Sequence, residues 1–476
     1  MFGFNLSVWM TRDIIRILNE QEDFITSKQL LEFLGYSNLA QIKKSLTRLN
    51  FIIKESQVDE EIQLVMDPHV GIRLNCSADA NTHELISLLA SQDLAYTIYT
   101  TMLFERKAST KEFCKKKFMS ASTLQRRIKR INEFINPLGL HISFSMSEFK
   151  LIGNEATIRS FSFIYLYVFY RQFSAIPWID NKTYYLDQAQ KISDYLQLDF
   201  RTTQVDSMAF FIFITENAIQ QGCPFSFKQV DFPCQERLGY PMKPPFIHWK
   251  DDEWQFLLLM AFNSNLANFN IPIDTSDLHL EVLDGVFTDW LVAFEKYFGS
   301  LNEEQRTFLH KNIVRQYLAT RFFIVNQEVL RAFPVVDFNL IQQAHPYYMQ
   351  QFNRFWKAFS SSRTTWTDIH FKSQSFLLCE YFLSLQEALP EVVIFVFTDL
   401  TLLSSTQIQD DLFLYFSNKY RIVYTQNYQE ASIIIGTIGT NGSLLSENQE
   451  FVMVHFQLTP HDLTHVDEAI QRVLLE

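Results

Sequence analysis

Between Ser122 and Phe134 the chain reads STLQRRIKRINEF, and Arg126, Arg127, Lys129 and Arg130 place four cations within five residues. Guanidinium and ammonium groups at this density suit a polyanion. An arginine fork can bridge phosphate oxygens or meet guanine O6 and N7 together, and lysine adds a compact point charge. From Glu105 to Ile131 there are ten cations against two carboxylates, or +8, in a chain of 476 residues with formal net charge -12, which leaves -20 for the remainder. Clustered like charges repel one another, so the segment is costly unless a polyanion meets it. A solvated helix face is the plainer explanation of an arbitrary basic run. Periodicity and an internal repeat weigh against it here.

At about 100° per residue, Leu124, Ile128, Ile131 and Ile135 fall on one narrow apolar stripe. Ser122, Gln125, Arg126 and Lys129 fall opposite it, and Arg127 and Arg130 flank that outward face. Ser120, Ser122 or Thr123 can cap the start, and Pro137 with Gly139 closes the end. STKEFCKKKF, from Ser109, predicts a short preceding helix, with MSAS as the turn between them. LHISFSMSEFKLIG, from Leu140, predicts a β-hairpin. The sum is a winged helix-turn-helix.

The same order occurs earlier. TSKQLLEFLGYSNLAQIKKSLTRLN, from Thr26, predicts a short helix, a turn at Gly35 and a second helix capped by Ser37 with Leu39, Ile42, Leu46 and Leu49 inward. IQLVMDPHVGIRLN then supplies a hairpin. An offset of 82 carries Ile42, Leu46 and Leu49 onto Leu124, Ile128 and Ile131, and Lys44 and Arg48 onto Arg126 and Arg130; the first helices align at 83. Residues 26–49 carry +3 and residues 109–131 carry +7, so the second module should dominate. B-DNA's major groove admits one α-helix, with cations and backbone N–H groups holding phosphates. The expected contacts to double-stranded DNA are Lys43, Lys44 and Arg48 in the first module. In the second, Arg126, Lys129 and Arg130 supply charge, with Ser122, Gln125 and Arg127 near bases or phosphates.

The length calls for several domains, and 46 Phe with only 12 Gly and 13 Pro favour a mainly α chain. Cys76, Cys114, Cys223, Cys234 and Cys379 are scattered, without a Cys-x-x-Cys pair, as free thiols of a cytoplasmic protein would be. MFGFNLSVWMTRD lacks the features of a signal peptide and should pack against the fold. FSFIYLYVFYRQF and MAFFIFITENAI are interrupted by Arg171 and Glu216 before the roughly 20 residues of a membrane span, so no membrane partner is expected. There is no phosphate-binding Gly-rich loop, nucleophile elbow or His-Glu-x-x-His, and His461 with His465 is too little for a metal site. Neither an enzyme nor a cofactor is implied.

From Asn154 to about Ala388 aromatic-rich helical stretches such as DGVFTDWLVAFEKYF and YFLSLQEAL predict all-α bundles. CPFSFKQVDFPCQERLGYPMKPPF predicts an irregular loop. After Pro390, VVIFVFTD, RIVYT, SIIIGT and FVMVHF alternate with TQIQDDLFLYFSNKY and HDLTHVDEAIQRVLLE, which predicts a small α/β layer with mostly parallel strands.

The run MSASTLQRRIKRINEFINPLGLHISFSMSEFKLIGNEATIRSFSFIYLY resembles the second DNA-binding domain and following junction of the Mga/AtxA-like global, virulence-type transcriptional regulators of Gram-positive bacteria. The resemblance rests on the Ser-x-Ser-Thr-Leu helix start, the basic helix, the hairpin ending in LIGNE, and Ile158-Arg159. It implies winged helix-turn-helix domains at 1–75 and 76–153 and helical domains similar to those controlled by the sugar phosphotransferase system (PRD-like) at 154–270 and 271–388. It also implies a domain at 389–476 similar to that system's B component (EIIB-like), in a cytoplasmic, homodimeric activator able to meet phosphotransferase proteins. Of His248, His279, His310, His345 and His370, only His310 has a helical setting with basic neighbours and is the candidate phosphorylation site. The loop TDLTLLSST has no cysteine or histidine to accept a phosphoryl group, so the last domain is expected to serve interaction or dimerisation. The rival readings are an RNA-binding antiterminator and a phosphotransfer carrier.

Overall fold

The computed structural model describes residues 2–35, 37–55, 60–230, 235–264, 269–278, 280–322, 336–361, 366–384, 387, 389–439, 446 and 449–475. It is mostly helical and multidomain, with helix-turn-helix architecture toward the N-terminus. Two compact units comprise residues 1–280 with 314–334, and 281–313 with 335–476.

The first unit opens with α1 (Leu6–Asn19), α2 (Ser27–Leu34) and α3 (Leu39–Glu55), followed by the antiparallel hairpin β1 (Ile62–Asp67) and β2 (Gly71–Cys76). Ile14, Leu18, Leu30, Ile42, Leu46, Leu49 and Ile72 share one core. Ser37 is not the cap of α3. Asn38 takes that place, its Oδ1 accepting the Gln41 backbone N–H at 2.9 Å while Gln41 Oε1 accepts the Asn38 N–H at 3.2 Å. Asn38 stands directly before the helix, its amide meets the third helical residue, and the reciprocal bond closes a capping box.

Helices α4 (Thr82–Ser91) and α5 (Leu94–Phe104) lead to the second module: β3 (Lys107–Ser109), α6 (Thr110–Lys116), α7 (Ala121–Ile135), β4 (His141–Phe144) and β5 (Glu148–Ile152). Its antiparallel sheet has the order β3-β5-β4, so the hairpin gains a third strand that the sequence reading did not include. Phe2 and Phe4 pack here, with Phe2 4.9 Å from Phe134 and Phe4 stacked on Tyr99 at 6.2 Å, as the apolar start of the chain suggested.

Only Gly153 and Asn154 separate β5 from α8 (Glu155–Tyr170). A Cβ at Gly153 would lie 2.4 Å from Leu140 Cδ2, and Asn154 Oδ1 caps α8 through the Ala156 N–H at 2.9 Å. Helices α9 (Lys182–Tyr195), α10 (Thr202–Gln220) and α11 (Asp251–Asn263) complete this bundle. Arg159 is fully buried in it. Glu155 Oε1 accepts from Arg106 at 2.7 Å and from Arg159 Nε at 2.9 Å; Glu253 pairs with the far side of Arg159 and accepts the Phe225 N–H at 2.7 Å. Burial pushes Arg106 down and Glu155 up, each toward its neutral form. For Arg159 burial works the same way, but Glu253 and Glu155 outweigh it and raise its pKa.

The second unit contains α12 (Glu281–Tyr297), the N-terminal part of α13 (Glu303–Phe322), α14 (Phe338–Ala344), α15 (Pro346–Ser361) and α16 (Ile369–Phe382). Trp290, Phe294, Tyr348, Phe352 and Phe355 are buried among these helices, and Trp290 Nε1 donates to Ser375 Oγ at 3.1 Å. Of the stretch 381–389, expected to be helical, Tyr381 and Phe382 belong to α16, and residues 385, 386 and 388 lie outside the described residues. Leu383 turns extended, and Ser384 and Glu387 exchange hydrogen bonds at 3.0 and 3.2 Å in the pattern of a capping box.

Beyond Pro390 come β6 (Glu391–Phe397), α17 (Leu402–Phe416), β7 (Arg421–Tyr424), β8 (Ile433–Gly436), β9 (Glu450–Met453) and α18 (Pro460–Leu475). The sheet order is β7-β6-β8-β9 and every pairing is parallel. Val392, Ile394, Ile433 and Ile435 pack on Ile408, Leu412, Phe416, Val466 and Ile470 of the two helices. No helix among the described residues is long and apolar enough to cross a membrane.

Candidate nucleic-acid interface

The site is the outer face of α7. Ser120 Oγ accepts the Thr123 N–H at 3.2 Å and starts the helix; a 3-10 turn at Asn136–Leu138 ends it. Leu124, Ile128, Ile131 and Ile135 are all at or below 2% exposure, each contributing about 2 kcal/mol by burial. Asn132 fixes the wing to this helix: its Nδ2 donates to Ile142 O and its Oδ1 accepts the Ile142 N–H, both at 2.8 Å.

With that side committed to the core, Ser122, Gln125, Arg126, Lys129 and Arg130 are exposed. Among the described residues no carboxylate pairs with Arg126, Lys129 or Arg130. Lys107, Lys111, Lys115, Lys116, Lys117 and, on β5, Lys150 are exposed too. The polar and cationic groups therefore form one solvent-facing set on a single rigid helix, with further cations around it.

Arg127 is placed differently. Its guanidinium pairs with Asp93, whose side chain is 1% exposed, and donates to Asn5 Oδ1 at 2.8 Å. It braces the back of α7 against the start of α5 and the N-terminal segment, so its charge is directed away from the solvent face. The sequence offers no local sign of this, because the partner lies 34 residues away.

In the first module Lys43 and Lys44 are exposed on α3, while Arg48 is half-buried and donates to Ser7 Oγ at 3.4 Å and Gln92 Oε1 at 3.3 Å. His310 is half-buried on α13, its ring edge-on to Phe287 at 5.5 Å. His279 and Cys234 lie outside the described residues. Cys76, Cys114, Cys223 and Cys379 are unpaired thiols, two of them buried. His461 and His465 lie 4.0 Å apart on α18, beside a cleft of about 740 Å³ at the carboxyl ends of the parallel strands. His455, on the same cleft, holds Asp462 at 3.1 Å.

Residues 78–167, from the approach to α4 through most of α8, match the Mga helix-turn-helix domain. Over this region the chain is of the Mga type. The match takes in the whole cationic face of α7, the Asp93 brace and the wing, and it shows the resemblance to the Mga/AtxA-like regulators. A further relative is the capsule synthesis positive regulator AcpA of Bacillus anthracis, 24% identical over 219 residues, which make up 46% of this chain and 43% of that protein. The chain thus matches less than half the length of this curated relative. The Mga-type region ends inside α8, so the two-residue junction at Gly153–Asn154 belongs to it.

Proposed function

We propose that this protein is a DNA-binding transcriptional regulator that inserts α7 into the major groove, with α3 as a weaker second reading helix. The observation that carries the reading is the exposed, unneutralised face of Arg126, Lys129 and Arg130 beside Ser122 and Gln125 on a helix whose other side is locked in a core. Phosphates of the backbone would neutralise the cations, and the serine and glutamine would lie toward base edges. Arg127 is left out of the contact set, and Arg48 is a lesser candidate than Lys43 and Lys44. The name of AcpA, a positive regulator, supports activation as the mode.

The bundles at 154–270 and 271–388 would be PRD-like control domains, with His310 as the candidate phosphate acceptor. The parallel layer at 389–476 would be an EIIB-like domain that pairs two copies. In support, α17 presents Leu402 at 82%, Leu403 at 83% and Leu414 at 75% exposure, more apolar surface than a solvated helix needs. A dimer would bring two reading heads to one duplex.

Retardation of duplex DNA but not hairpin RNA by the purified chain is the expected result. The reverse preference would favour the antiterminator reading. Incubation with phosphotransferase enzymes and phosphoenolpyruvate tests His310 separately; label absent from wild type, or retained by His310→Ala, removes that site.

A further inference from the structure

The turn before α7 carries a phenylalanine where its counterpart in the first module carries a glycine. Aligning α2 with α6 at an offset of 83, which puts Leu30 on Phe113, places Gly35 on Phe118. Both residues adopt the left-handed conformation that reverses the chain between the two helices, with φ of 66° at Gly35 and 51° at Phe118. Glycine enters that region freely, and asparagine tolerates it, whereas a phenylalanine Cβ is crowded against its own backbone. The ring repays nothing inside the fold, because Phe118 is 97% exposed.

An aromatic side chain that costs backbone strain and buries no surface points to a contact made outside the chain. Its setting restricts the partner. Lys115, Lys116 and Lys117 directly precede it and are exposed, and two residues later Ser120 begins the cationic helix α7. Any surface covering Phe118 must also accept this positive charge. Duplex DNA offers both chemistries at one edge: phosphate oxygens for the lysines, and the apolar faces of deoxyribose and thymine methyl groups for the ring.

We propose that Phe118 packs against the sugar edge of the duplex as α7 enters the groove, an apolar contact inside an otherwise electrostatic interface. The proposal rests on the DNA-binding reading above and deepens it. An uncharged contact displaces no counterions, so its loss should lower affinity without altering salt dependence.

The test uses the full chain and a short duplex selected from a random pool by the wild-type protein, with Kd measured over a range of salt. Phe118→Gly and Phe118→Asn should each bind about fivefold to tenfold more weakly, the affinity expected from losing one partly buried ring. Their salt slope should equal that of wild type, and they should melt no earlier, since both residues relieve the turn. Unchanged affinity in these variants while wild type binds overturns the contact and leaves the function standing, even if reconstituted transcription falls, which would assign the ring to a protein partner. Failure to select any duplex overturns both.

Discussion

Arg127 and Asp93 form an ion pair between α7 and the start of α5, and the same carboxylate accepts the backbone N–H groups of Asn5 at 3.1 Å and Ala95 at 2.8 Å. One buried acid thus caps α5, holds the N-terminal segment and braces the reading helix. Arg126, adjacent in sequence and about 100° away around the helix, faces solvent with no such partner. Asp93→Ala should lower unfolding stability by about 3 kcal/mol, because it strands a guanidinium and two N–H donors together. Arg127→Ala should cost less, since Asp93 keeps its backbone partners. Chemical denaturation of the two variants should show that order.

The outward cations should behave differently from Arg127. Replacing Arg126 and Lys129 together by alanine should reduce the slope of log affinity against log salt by about 1.8, two phosphate contacts at roughly 0.9 each. Arg127→Ala should leave the slope unchanged. Binding titrations at several salt concentrations check both, and an undiminished slope in the double variant would sink the assignment of α7.

Two histidines predict how stability depends on pH. His83 on α4 and His370 on α16 have pKa values below the ordinary 6.5, in both cases chiefly through burial. Arg171 adds to the shift at His83, and Asp368 opposes it at His370. The folded chain therefore holds them neutral while the unfolded chain takes up protons. Their contribution is fully present above pH 6.5 and is lost as the pH falls from there toward the folded-state values. Melting temperature should drop as the pH is lowered through 6.5, and His83→Gln should shallow that drop. Glu155, raised by burial from 4.5, has the opposite slope, its effect growing as the pH rises from 4.5 toward the folded-state value.

Self-association should depend on α17. Changing Leu402, Leu403 and Leu414 to serine removes exposed apolar groups, so stability should move by no more than about 0.5 kcal/mol per site. If the proposed dimer uses this face, sedimentation should show the variant as a monomer at concentrations where wild type is paired. A variant that remains paired would place the contact elsewhere.

Much of α7 was legible because its signals are local. The stripe of Leu124, Ile128, Ile131 and Ile135, the serine cap and the closing Pro137–Gly139 all lie within twenty residues. The parallel layer was legible for the same reason, as short apolar runs such as Ile433–Gly436 can hardly be anything but buried strands. Information failed where a distant residue decided. Helical spacing sets Arg127 and Arg130 alike on the flanks of the outward face, and only the fold brings Asp93 to one of them. The third strand of the wing sheet, Lys107–Ser109, is too short to leave a pattern and exists because β5 offers it a free edge. Choosing Asn38 over Ser37 turned on a helix boundary one residue later than the pattern suggested, which puts Asn38 directly before Leu39. The buried set around Arg159 likewise joins residues 94 positions apart.

The two-residue passage from β5 to α8 leaves the head no slack. It cannot swivel like a bead on a string. A tilt of α8 must carry the wing and its helix bodily along, as a key turns with its bow. Under the proposed function, the angle at which the teeth are presented would then set the output, with no need to cover them.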